Sequence, residues 1–148
     1  MVAFVVFGFT AQLLLLGFFA AYRWRPAYMT RLGRLVYGMG LVAAALAAGF
    51  IVVGQPWYLV MALLLYTVWA AFGWLVDIAR PVPWRRPPRW SILIPYATLH
   101  IASLFALWVP LWYVDRRLWI AFGLLYAAYT ILNITSHIGD RGDRHEAA

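Results

Sequence analysis

Apolar residues fill the chain in five long runs, approximately residues 2–22, 35–53, 57–78, 92–113 and 118–138, separated by short breaks carrying arginine, proline or glycine. Each run reaches the length of about 20 residues that a helix needs to cross a hydrocarbon core about 30 Å thick. Strands of a membrane barrel would alternate apolar and polar positions over about ten residues. Residues 13–16 are four consecutive leucines, and residues 41–48 are uninterrupted leucine, valine and alanine. The pattern therefore predicts an all-α polytopic membrane protein: one bundle of five transmembrane helices over residues 1–138, followed by a short polar tail, 139–148. The first run has no Lys or Arg before Arg23 and exceeds the apolar core of about 7–15 residues typical of a secretory signal, so it reads as a span.

Composition agrees, with 66% hydrophobic and 11% charged residues against about 25% charged in soluble domains. Charge placement predicts orientation, because short cytoplasmic loops accumulate basic residues. Arg23, Arg25, Arg31 and Arg34 follow the first run, and Arg80, Arg85, Arg86 and Arg89 follow the third. Arg141 and Arg144 lie in the tail, which brings one side to ten arginines; only Arg116 and Arg117, beside Asp115, fall on the other. The amino terminus is expected outside and the carboxyl terminus in the cytoplasm, with a bacterial inner membrane as the setting. The net charge of +7 then suits anionic head groups, at about 1 kcal/mol per juxtamembrane basic residue. No soluble domain presents these arginines to a nucleic acid. The absence of cysteine excludes disulfides, thiolate metal sites and thiol redox chemistry.

Two local features stand out. The second run is rich in small residues, from Gly33 and Gly38 through Gly40 to Ala47, Ala48 and Gly49, which let helix backbones approach closely in lipid; it is predicted to be the most enclosed helix. The break at 80–90 holds four prolines among Arg80, Trp84, Arg85, Arg86, Arg89 and Trp90. Proline at that density forbids a regular helix, so the segment reads as a stiff surface element that docks on lipid or on a partner.

Polar residues within the runs carry the functional reading, since ionisable groups at membrane depth are costly and face a bundle interior or a wet cavity. Tyr96, His100 and Ser103 share one face of the fourth helix, as do Tyr126, Thr130, Asn133 and His137 on the fifth. Tyr66, Gly73, Asp77 and Arg80 fall near one stripe of the third. At about 1.5 Å per residue, His100 lies roughly 13 Å from the start of its helix, near mid-membrane, with Thr130 at its level and His137 near the interface. These placements predict a cytoplasm-facing polar cleft formed by Asp77, Tyr96, His100, Ser103, Thr130, Asn133 and His137. Each residue has a plainer reading beside this one: an Asp77–Arg80 pair at a helix end, a histidine packed and hydrogen-bonded, an asparagine joining two helices. His100 and His137 differ by roughly half a bilayer in depth, which disfavours a bis-histidine haem site. No arrangement of catalytic or metal-ligating residues is legible, and the sequence names no cofactor.

Five spans, the chain length and the nine tryptophans resemble the tryptophan-rich sensory proteins, and residues 128–133, Ala-Tyr-Thr-Ile-Leu-Asn, have a faint likeness to that family's closing helix. The family's Trp-x-Pro-Pro element belongs after the first span, whereas Trp84-Arg85-Arg86-Pro87-Pro88 follows the third and has one extra residue. No family is assigned on this likeness and no ligand residues are carried over. Two readings of function remain. One is a small membrane protein that binds or translocates a small amphipathic or apolar ligand through the polar cleft. The other is a structural or accessory subunit of a larger membrane complex or homo-oligomer, with an intramembrane enzyme working through Asp77 and His100 as a weaker third.

Overall fold

Helices form wherever the sequence offers an apolar run, because a backbone in hydrocarbon must satisfy its own hydrogen bonds. In the computed structural model of the chain, residues 1–80 and 87–142 are described, excepting the side chains of Pro26 and of 136–142. The elements are α1 (Val2–Trp24), a 3-10 turn (Pro26–Tyr28), α2 (Met29–Val52), α3 (Trp57–Trp74), α4 (Trp90–Trp108), the short α5 (Leu111–Val114) and α6 (Arg116–Gly142). A π-helical turn, Leu75–Ala79, extends α3. Among the described residues there is no strand, and five helices are long and apolar enough to cross a membrane.

Hydropathy located the spans well and the helix ends less well. Helix α2 begins at Met29, six residues before the apolar run, and so takes in Arg31 and Arg34. A helix continues past the hydrocarbon boundary where long arginine side chains can reach water. Helix α6 likewise runs to Gly142, into the segment read as a tail; residues 143–148 lie outside the described residues, as do Trp84, Arg85 and Arg86.

Ring contacts fix the relative directions. Phe9 meets Phe122 and Phe19 meets Tyr129, so α1 and α6 run parallel. Arg23 ends this seam by donating from Nη1 to the Thr135 carbonyl at 3.2 Å. Phe7 packs edge-on against Tyr66 of α3, and α2 and α4 return between these. One end of the bundle therefore gathers Arg23, Arg25, Arg31, Arg34, Arg80 and Arg89, and is called the arginine end below. Trp24, Trp57, Trp90 and Trp112 are all exposed at helix ends, at the level where indoles favour the head-group region.

The most enclosed helix is α3, not α2: 50% of its span is buried, against 33% for α2. Small residues on α2 create this result by admitting their neighbour. A Cβ added to Gly40 would stand 2.6 Å from the Ala70 Cβ, so glycine sets the approach of the two backbones. Thr67 bridges the same contact, its Oγ1 lying 3.3 Å from the Gly40 carbonyl and 2.9 Å from the Leu63 carbonyl it also meets. Replacing Thr67 by alanine should cost about 0.6 kcal/mol, the usual scale for an interhelical hydrogen bond in a bilayer; equilibrium unfolding in detergent would measure it.

The ring of helices is loosest between α4 and α6, whose backbones approach only locally. Aromatic side chains bridge that seam. Trp108 stacks on Trp119 at 4.9 Å and on Tyr126 at 5.9 Å, and its Nε1 donates to the Trp119 carbonyl at 2.8 Å.

Candidate functional site

The site is assembled on α3 by a glycine and a widened turn. Gly73 faces the Tyr37 ring of α2 so closely that any Cβ there would lie inside it. Without that Cβ the ring crosses the α3 surface, and its hydroxyl reaches the next turn. That turn is π-helical, closed by the Arg80 amide donating to the Leu75 carbonyl at 2.9 Å, and it carries Asp77. Single π turns recur at functional positions because they redirect a side chain without ending the helix.

Tyr37 donates to Asp77 Oδ2 at 2.5 Å and shares a second hydrogen bond with the Tyr96 hydroxyl of α4 at 3.0 Å. One turn along α4, His100 lies parallel to Tyr96, with ring centroids 6.3 Å apart and planes 12° apart. His100 Nε2 bonds the Tyr129 hydroxyl of α6, and Asn133, one turn further along α6, neighbours that hydroxyl. Polar contacts thus run from Asp77, near the arginine end, to His100 at mid-depth, with one aromatic step between Tyr96 and His100.

Trp69 of α3 is the hub beneath these groups. Only 1% of it is exposed, and its ring meets Tyr66 at 5.3 Å, Tyr37 at 5.8 Å, Tyr96 at 6.1 Å and His100 at 4.6 Å. Tyr66 is anchored independently by donating to the Val36 carbonyl at 3.1 Å.

The structure places Asp77, Tyr96 and His100 along one line of contacts through Tyr37, with Asn133 beside Tyr129. Ser103 and Thr130 are on the expected helix faces but spend their hydroxyls on their own helices, donating to the His100 and Tyr126 carbonyls, each at 2.8 Å. The His137 side chain lies outside the described residues. Arg80, Arg89 and Trp90 are exposed at the arginine end. Three central members were not on the expected list of site residues: Tyr37, Trp69 and Tyr129; Gln12, buried on α1, was not on it either. Tyr129 had a signal, since it precedes Asn133 by four positions. Gln12 had one too, as an amide amid the apolar first run.

Gln12 is fully buried on α1, and neither its Nε2 nor its Oε1 has a partner among the described residues. Trp69 Nε1 and His100 Nδ1 are shielded and unpartnered in the same way. A separate, apolar groove of about 360 Å³ lies between α3 and α4 at the end opposite the arginines, lined by Trp57, Met61, Ala106 and Tyr113 among others. Among the described residues no cluster of His, Asp or Glu is arranged to hold a metal ion. No protein family, curated protein or solved structure matches this chain.

Proposed function

We propose that the protein binds, and in one form of the reading translocates, a small amphipathic or apolar ligand whose polar group sits at His100. The observation that carries this is the line of hydrogen-bonded side chains from Asp77 through Tyr37 and Tyr96 to the neighbouring His100–Tyr129 pair, standing behind the loosest seam of the bundle. Polar groups at this depth are costly unless they are used or fully matched. A seam between α4 and α6 held mainly by aromatic side chains can open with little loss of backbone packing, giving a membrane-dissolved molecule sideways access. The ten-to-two arginine asymmetry orients the arginine end, and with it Asp77, toward the cytoplasm of a bacterial inner membrane.

Protein extracted gently from its host membrane is expected to retain a small molecule by native mass spectrometry. A His100→Phe/Asn133→Ala double variant should fold and retain at least tenfold less, the equivalent of about 1.4 kcal/mol. Equal retention by the double variant would sink the reading.

An accessory subunit is the second reading, favoured by the low burial of α4 and α6, 17% and 11% of their spans. A stoichiometric protein partner without a small molecule in the same spectrum would support it over the first.

A further inference from the structure

Three helices present shielded, unpartnered polar atoms in the middle part of the bundle. Gln12 lies five residues beyond Phe7, roughly 7.5 Å along α1; Phe7 packs on Tyr66 and α3 runs parallel, which puts Gln12 level with Ala71, about 3 Å beyond Trp69 along the helix axis. The α1–α6 contacts on either side, Phe9–Phe122 and Phe19–Tyr129, bracket the same level on α6. His100 approaches it from α4 through its contact with Trp69. Leaving one such group unmatched in a dry interior is expensive, and native proteins rarely do so without a reason.

The unmatched atoms include dedicated hydrogen-bond donors. Trp69 Nε1 is a donor only. His100 Nδ1 donates or accepts according to the imidazole tautomer. The Gln12 amide offers two further donors and a single acceptor. Among the described residues no arginine lies at this depth, each standing near a helix end; a carboxylate or phosphate would meet no counter-charge from them. Aromatic faces of Trp69, Tyr96 and Tyr126 surround the level.

The geometry points to an uncharged, flat, carbonyl-bearing molecule of the quinone class as the ligand, its oxygens accepting hydrogen bonds from Trp69 Nε1 and the Gln12 amide, with the His100 ring beside Trp69. This deepens the ligand reading above and rests on it. Gln12, on a helix outside the expected cleft, becomes a binding residue, and the ligand's apolar tail leaves through the α4–α6 seam.

The test uses the full chain in lipid nanodiscs, with empty nanodiscs as the reference for partitioning. Decylubiquinone is the probe, and decylbenzene, which keeps a flat ring and the tail but has no acceptor oxygen, is the control. Saturable binding is expected for decylubiquinone alone. Gln12→Leu and Trp69→Phe should each weaken it at least tenfold; both exchange an unmatched polar group for an apolar one of similar shape, so folding should survive. Equal binding of the two probes, or an unchanged affinity in both variants, overturns the quinone assignment while the ligand reading stands. Saturable binding of neither probe also overturns it, and retention of some other small molecule by native mass spectrometry then tells whether the ligand reading falls with it.

Discussion

Trp69→Ala should destabilise the bundle by about 3–5 kcal/mol, the range for removing a buried large aromatic side chain. The residue is 1% exposed and touches four rings drawn from α2, α3 and α4. Lipid removes most of the hydrophobic driving force between helices, so packing and ring contacts carry the association. An indole at the meeting point of three helices is where such contacts are densest, and no flexible neighbour stands ready to fill the void. Equilibrium unfolding of wild type and variant in the same detergent measures the loss. A cost near 1 kcal/mol would mean that the rings around Trp69 collapse inward, and the hub role assigned to it would be wrong.

Trp69→Phe separates packing from the indole hydrogen. It keeps an aromatic ring in the slot and deletes a donor without a protein partner, so the cost should fall well below that of alanine. Its larger consequence belongs to ligand binding. These two substitutions at one position therefore report on different links: alanine on how the helices are held, phenylalanine on what the enclosed donor is for.

The five spans were legible because hydropathy over about 20 residues is a strong signal, and the stripes of α3, α4 and α6 because helical spacing places polar residues on one face. The structure places Asp77, Tyr96 and His100 along one line of contacts. The omissions share a cause. Tyr37 sits in a helix whose glycines and alanines dominate its pattern, and its role depends on Gly73 of another helix being vacant at Cβ, a relation between two elements that neither reveals alone. Enclosure of α2 was misjudged for the same reason: small residues record that something comes close, while the burial they permit accrues to the partner, α3. Gln12 was visible as a polar position, but its depth relative to Trp69 emerges only from the parallel packing of α1 against α3 and α6.

Gly73→Val should cost about 3 kcal/mol or more and should dismantle the upper half of the site along with the packing. A branched side chain there enters the volume of the Tyr37 ring, and overpacking a filled core costs about 1–3 kcal/mol. The ring cannot step aside cheaply, because two hydrogen bonds, to Asp77 and to Tyr96, hold its hydroxyl. Displacing it gives up both, and a bond to a carboxyl group is worth about 1.5–3 kcal/mol when that group is charged. Helix propensity works in the opposite direction by only a few tenths of a kcal/mol, since valine is somewhat better than glycine in a helix. The distinctive signature is coupling. In a Tyr37→Ala background the space is already open and both hydrogen bonds are gone, so the same Gly73→Val change should cost less than about 1 kcal/mol. A double-mutant cycle from equilibrium unfolding measures the difference. An undiminished cost in the Tyr37→Ala background would show that Gly73 is required by the α3 backbone itself, and the construction of the site from a missing Cβ would have to be abandoned.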